Sequence, residues 1–405
     1  MRVGVLGGGL QGCCVALALA ERGAEVTLFD RNDALISRAG AANEGKIHLG
    51  YMYAADPTLR TARTMLRGAL AFAPFLARHL GTSPELLATS MPAAYVVHRD
   101  SQHPPEEIWQ YLNSVHDLIG ESAPPGLNVY FGQDLSTRLR RWSAQERENS
   151  FDGKVALDAI ETCEVAINPS RVGQAFRDRI AADPRIETRL GCNVVGVDEA
   201  RGLRVLARDD GGDVEESFDH VVNALWDGRL ALDHAVGIET GRPWLHRLKY
   251  GVSFRLPEGA EVPPSATFIS GPFGEVVSYG DGLTYLTWYP ECLQAISQAL
   301  TPPDWPTYPG EPLRSRILSG TLAALAEIVP SLRRLDPSSL PEATVKGGVI
   351  VAWGETDIYD PESELHRRYE IGITTKGRFH SIDPGKLTMA PHFAEECADR
   401  IYALG

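Results

Sequence analysis

Met1-Arg-Val-Gly-Val-Leu-Gly-Gly-Gly-Leu-Gln-Gly12 reads as a short apolar strand running into a glycine-rich turn. The pattern beyond it predicts a helix over 13–22 and a second strand over 25–29 that ends on Asp30. Gly7, Gly9 and Gly12 carry the G-x-G-x-x-G spacing. Gly7 permits the tight turn out of the strand, Gly9 lets backbone approach a pyrophosphate, and Gly12 lets the helix lie close to the strand. The helix N-terminus then offers unpaired N–H groups and a partial positive charge to phosphates. Asp30 lies eighteen residues beyond Gly12, where a carboxylate accepts hydrogen bonds from ribose hydroxyls. A glycine-rich turn in an ordinary βα unit is the alternative. Strand, turn, helix, strand and terminal acid in that order favour a bound dinucleotide.

The 405 residues are enough for two or three units with large cores. A net charge of −14 argues against nucleic acid or an anionic membrane surface as a bulk partner, while leaving room for a local arginine cluster that binds a small anion. No stretch is long and apolar enough to span a bilayer. The chain opens on a strand, which leaves no room for a signal peptide. Six cysteines without a C-x-x-C pair give neither a disulfide framework nor a zinc site, so no metal is expected and a reducing cytoplasm is the simplest compartment.

Downstream, Ser37 to Tyr51 is small and glycine-rich and reads as an extended loop pressed against something flat. Helices are predicted over 58–80, 108–119, 170–182, 314–328 and 391–404. Strands are predicted over 91–97, 186–190, 193–198, 203–208 and 218–226, with a polar hairpin at 209–217. Alternating runs at 250–255, 266–269, 274–279 and 283–288 imply an antiparallel sheet. Further strands are expected within 343–353 and at 369–375.

Four segments, in order, resemble the FAD-dependent oxidoreductase superfamily typified by D-amino acid oxidase, sarcosine oxidase, glycerol-3-phosphate dehydrogenase and L-2-hydroxyglutarate oxidase. They are Val3 to Asp30, then Asn43-Glu-Gly-Lys-Ile-His-Leu-Gly-Tyr51, then Ala166-Ile-Asn-Pro-Ser-Arg171 with Phe218-Asp-His-Val-Val-Asn-Ala224, and last Ser381-Ile-Asp-Pro-Gly-Lys-Leu-Thr-Met-Ala-Pro391. The Gly385-Lys-Leu-Thr388 core is similar to the glycerol-3-phosphate dehydrogenase branch. The resemblance implies an α/β fold: a discontinuous Rossmann-like FAD-binding domain over about 1–85, 160–240 and 340–405, and an antiparallel-sheet α+β substrate domain over 86–159 and 241–339.

The resemblance also implies FAD as cofactor. The cofactor-binding set would be Gly7, Gly9, Leu10, Gln11, Gly12, Asp30, Arg31, Asn43, Glu44, Gly45, Lys46, His48, Val194, Asn223, Ala224, Gly385, Lys386, Leu387 and Thr388. Reduced flavin carries negative charge near N1 and its C2 carbonyl, and a turn at a helix N-terminus supplies N–H groups to it, with Lys386 adding charge. Thr388 equally suits a helix cap. His48 is the first candidate for a catalytic group beside the flavin, and some branches carry the flavin covalently on a histidine of this loop; a packed, backbone-bonded histidine is the alternative. Tyr289, at the end of the β-rich segment, is a pocket aromatic and catalytic candidate. Arg378 is the candidate for a substrate anion. Asp357, Asp360 and Leu365-His-Arg-Arg368 read as exposed loop residues.

The expected reaction is oxidation of a C–H bond next to an amine or hydroxyl of a small polar substrate, with hydride passing to flavin N5 and dioxygen or another acceptor taking the electrons. A flavin-dependent dehydrogenase of a sugar or polyol, and a non-catalytic FAD-binding subunit, are the alternatives.

Overall fold

A computed structural model describes residues 1–404 apart from 82–86, 88, 124–129 and 200–201. The expected boundary between the first two segments, at 85 and 86, lies outside the described residues. The strand Arg2–Leu6 has Val3 and Val5 fully buried, and it forms the middle of a six-stranded sheet. Glu25–Phe29 pairs parallel on one side, with Leu6 opposite Phe29, and His220–Asn223 pairs parallel on the other, with Leu6 opposite Asn223. Ile186–Arg189 extends the first side in parallel. Phe379–Asp383 extends the second in parallel, and Gly372–Lys376 closes that edge antiparallel.

Phe379–Asp383 differs from the expectation, which treated 381 onward as a turn. Its five residues are all buried. His380 and Ser381 hide the strand pattern because their polar groups are satisfied inside, by His220 Nδ1 at 3.1 Å and by Asp233 Oδ2 at 2.7 Å. The polar hairpin expected at 209–217 is there: Gly212–Phe218 is a strand pairing with Leu203–Asp209 in a three-stranded antiparallel sheet.

The first helix, Leu10–Glu21, begins three residues earlier than its sequence suggested and is buried from Leu10 through Ala20. It is apolar on every side because it lies between the parallel sheet and the C-terminal helix, Ala390–Leu404. Gln11 Nε2 donates to Ala390 O (3.1 Å), so the N-termini of these two helices are tied together.

A nine-stranded, largely antiparallel sheet is built around Trp244–Arg255, which pairs with Leu283–Trp288, Leu293–Ser297 and Thr344–Trp353. The last of these departs from the expected segmentation. Residues 344–353 were grouped with the nucleotide side, yet they pair antiparallel with Trp244–Arg255 from Trp244↔Trp353 to Ser253↔Thr344. All six cysteines are free and buried. Among the described residues no helix is long and apolar enough to cross a membrane.

Candidate active site

Strand order in the parallel sheet reverses between Arg2–Leu6 and His220–Asn223, and a crevice at the carboxyl ends of strands is where such sheets bind ligands. A cavity of about 630 Å³ opens there. It runs from the glycine turn and Asp30, past Arg31, Val194 and Ala224, under the loop at Asn43, Glu44, Lys46 and His48, to Gly385, Lys386 and Leu387. Lys249 and Tyr285 bring the antiparallel sheet to its far end.

The glycine turn is shaped by close approach. A Cβ on Gly7 (φ +103) would lie 2.5 Å from Ala224 O, and one on Gly12 would lie 1.8 Å from Gly7 O. A Cβ on Gly9 would meet nothing within 4 Å and would project into open space beside the cavity. Asp30 holds the turn as well as facing the cavity: Oδ2 accepts from Gly8 N–H (2.7 Å), and Oδ1 accepts from Asn32 N–H (2.8 Å) and Nδ2 (2.7 Å). Arg31 forms an ion pair with Asp227 at 3.2 Å.

In the glycine-rich loop, Asn43 Oδ1 accepts from Gly45 N–H (2.7 Å) and its Nδ2 donates to Ala39 O (2.8 Å), so its amide folds the loop on itself. Lys46 turns its ammonium away from the cavity, into a buried ion pair with Glu275 and a hydrogen bond to Thr267. Burial opposes that charge, and Glu275 restores it and holds the lysine pKa above its ordinary value. His48 is 2% exposed. Its backbone N–H donates to Thr388 Oγ1 (3.0 Å). Its Nδ1 lies 3.4 Å from Glu164 Oε1 and its Nε2 lies 3.9 Å from Glu44 Oε1, with neither ring nitrogen in an aligned hydrogen bond.

At the C-terminal end, Gly385 turns with φ +59 and leads through Lys386 into a short helical turn, Leu387–Met389, and the helix from Ala390. Burial, with Arg368 nearby, pulls the Lys386 pKa down to about 8. Arg368 is half-buried; burial and the charge of Arg247 depress its pKa. Its Nε donates to Leu365 O (3.2 Å). Among the described residues neither Lys249, Lys386 nor Arg368 has a carboxylate oxygen within 4.0 Å. Arg247, by contrast, is neutralised by Asp357 Oδ1 at 2.7 Å and also donates to the Tyr289 hydroxyl. Tyr53 is buried, with its hydroxyl unpartnered and its charge environment set in part by Arg368.

Several expected site residues are placed elsewhere. Gly12 and Gly45 serve backbone approach: a Cβ on Gly45 would lie 1.9 Å from Ile167 O. Asn223 is fully buried beneath the cavity, with Nδ2 on Asp233 Oδ1 (2.8 Å) and Arg229 O (3.1 Å). Thr388 stitches the His48 loop to the C-terminal turn and does not line the cavity. Tyr289 has its hydroxyl committed to Arg247 and to Asp357 (3.1 Å), so it braces that ion pair. Arg378 is exposed at the start of Phe379–Asp383, the end of the parallel strand opposite to the cavity, and cannot meet a substrate there. Arg368 is half-buried and lies outside the cavity lining, and Asp357 is the half-buried partner of Arg247; both sit in segments that composition marks as surface loop. Glu164 and Glu275, fully or nearly buried beside the loop, were also missed, since a lone Glu in a strand-like run carries no signal of its own.

The cavity suits FAD on its own features. Gly9 leaves an open cradle at a helix N-terminus, Gln11 Oε1 and both His48 ring nitrogens are buried without hydrogen-bond partners, and Lys386 supplies charge at the far end. The sequence model of the FAD dependent oxidoreductase family matches residues 2–353. The FAD-dependent monooxygenase FPY4 of Fusarium mangiferae is 25% identical over 278 residues, which are 68% of this chain and 60% of that protein. Glycine oxidase from Geobacillus kaustophilus shares the fold with a TM-score of 0.69 at 15% identity, over 100% of this chain and 95% of that one. L-alpha-glycerophosphate oxidase from Mycoplasma pneumoniae, solved with FAD bound, gives 0.69 at 14%, over 99% and 94%. The chain belongs to the FAD-dependent oxidoreductase family and is an enzyme that uses FAD.

Proposed function

We propose that this enzyme oxidises the C–H bond next to an amine in a small substrate that carries a carboxylate, with Arg368 as the carboxylate anchor. The observation that carries the reading is the half-buried guanidinium of Arg368, which has no carboxylate partner among the described residues and whose charge reaches the unpartnered Tyr53 hydroxyl. A planar guanidinium matches a carboxylate with two parallel hydrogen bonds, and Tyr53 adds a donor. Arg247 sits close by but is already paired with Asp357, so its role is to hold Tyr289. Bound FAD supplies the two-electron acceptor for such a substrate. His48, on the cavity wall, is placed to hold or accept the proton that leaves the amine. Lys386 lies at the helix N-terminal turn, where positive charge favours a reduced flavin. Amine substrates in the printed names of fold neighbours, glycine oxidase and L-proline dehydrogenase among them, support the amine over a polyol. Dioxygen or another acceptor completes the turnover.

Arg368→Leu and Arg368→Lys test this. Removing a charged hydrogen-bonding partner costs about 1.5–3 kcal/mol, so KM for the amino acid that reduces the enzyme best should rise about 10- to 100-fold in Arg368→Leu. FAD content should stay as in the parent. An unchanged KM would remove Arg368 from the substrate site.

A further inference from the structure

Glu164 is a fully buried carboxylate beside the His48 loop, at 0% exposure, and neither the glycine turn nor the anion site uses it. It stands at the head of the run that leads into the helix Pro169–Ala181. Oε2 accepts from Leu49 N–H at 2.6 Å. Oε1 accepts from the Tyr95 hydroxyl at 2.5 Å and faces His48 Nδ1 at 3.4 Å. Burial opposes its charge, but the His48 ring, then the nearby Lys46 charge and the Tyr95 hydroxyl, hold the carboxyl below its ordinary pKa, and as a carboxylate it only accepts. A buried ionised carboxylate next to a ring nitrogen decides which nitrogen carries the proton.

We propose that Glu164 is a positioning residue that keeps His48 as the Nδ1–H tautomer and leaves the Nε2 lone pair on the cavity side. The other charged and titratable groups facing this ring are Glu44, 3.9 Å from Nε2, and Tyr53, whose ring centroid is 6.0 Å away. The Lys46–Glu275 ion pair lies behind them. Among the described residues no competing donor points at Nδ1. Nε2, on the side of the cavity-lining Glu44, is then the atom that can take a proton: the substrate N–H bond breaks, an Nε2–H bond forms, and the Nδ1 proton stays opposite Glu164. The inference rests on the amine-oxidation reading only for what His48 does with that proton. The tautomer itself does not depend on it.

Glu164→Gln is the direct variant. Its amide oxygen can still accept from Leu49 N–H, which turns the NH2 toward Tyr95 and Nδ1. That NH2 donates to Nδ1 and forces the proton onto Nε2. The readout is the ring nitrogen spectrum of histidine-15N-labelled holoprotein in mildly alkaline buffer, with the His48 signals assigned by their loss in His48→Asn. The parent should show a protonated Nδ1 and a bare Nε2, and Glu164→Gln the reverse. An Nε2–H or doubly protonated ring in the parent overturns the proposal, as does the same tautomer in both proteins. Should Glu164→Gln not fold, Glu164→Asp keeps the carboxylate and should keep the Nδ1–H tautomer; a switched ring there overturns the proposal equally. Anaerobic flavin reduction gives a second arm. Glu164→Gln should slow it by about 100-fold, the usual scale of one acid–base group. In a His48→Asn background it should change the rate by less than twofold, because Glu164 acts only through His48. An equal loss in both backgrounds overturns the proposal. Failure of every amine to reduce the flavin would overturn the proposed function and leave the nitrogen spectrum as the test of Glu164.

Discussion

Gly9 and Gly12 belong to one motif but guard different things. A methyl at Gly12 would collide with the Gly7 carbonyl, whereas one at Gly9 has open space. Gly9→Ala should therefore leave the melting temperature of the apoprotein unchanged and weaken FAD binding at least about tenfold, since the backbone can no longer approach the pyrophosphate. Gly12→Ala should lower the stability of the apoprotein itself. Fluorescence titration of FAD and thermal melts of the two apoproteins check the pair. At this scale the sequence was legible where spacing carries geometry. The cavity positions of the glycine turn and His48 were readable because backbone approach and loop order fix them. Arg378 was named for the anion because only the fold shows which end of its strand faces the cavity, and the proposed anchor Arg368 sits in a polar loop that carries no signal of its own.

The glycine-rich loop depends on an element-to-element tie, the buried Lys46–Glu275 ion pair that fastens it to the antiparallel sheet. Breaking one partner of a buried pair leaves an uncompensated charge and typically costs about 3–5 kcal/mol. Lys46→Met should be destabilised on that scale, while Lys46→Met with Glu275→Leu should recover most of it; urea unfolding of the three proteins measures this. A second tie joins the parallel strands: His220 Nδ1 and His380 Nε2 lie 3.1 Å apart, and Thr375 Oγ1 is 3.1 Å from His380 Nδ1. Burial, with the neighbouring His220, holds the His380 pKa down to about 4, and burial also lowers that of His220. The unfolded chain takes up protons between pH ~6.5 and ~4 that the folded chain refuses, so stability contributed by this pair is full above that window and lost as pH falls through it. His380 alone accounts for about 3 kcal/mol of that dependence. His380→Gln should show a smaller drop in melting temperature between pH ~7 and ~5 than the parent does; an equal drop would rule the pair out as its source. The same polar pairing explains why Phe379–Asp383 could not be read from the sequence: buried histidine and serine look like surface until their partners are known. Strands such as Ala266–Ile269 and Leu283–Trp288, with apolar or alternating side chains, were read at their observed limits.

On the scale of the whole molecule, two sheets meet over one cavity. The parallel sheet supplies the glycine turn and the two helix N-termini, and the antiparallel sheet supplies Lys249 and Tyr285. The α/β class and the resemblance to FAD-dependent oxidoreductases were readable because four cofactor-facing segments recur in order. The substrate side was not, because its residues come from separate strands and a loop, brought together only by pairing such as that of Thr344–Trp353 with Trp244–Arg255. The central claim is that the cations at the far end of the cavity seat a carboxylate while the neighbouring amine-bearing carbon is oxidised. Anaerobic titration of the purified FAD-loaded protein with amino acids, N-substituted amino acids, hydroxy acids and polyol phosphates, followed by flavin absorbance, tests it most directly. Bleaching by an amine-bearing carboxylate, and none by the matching amine that lacks the carboxylate, is the expected result. Bleaching by a polyol phosphate or hydroxy acid with no response to any amine would contradict it.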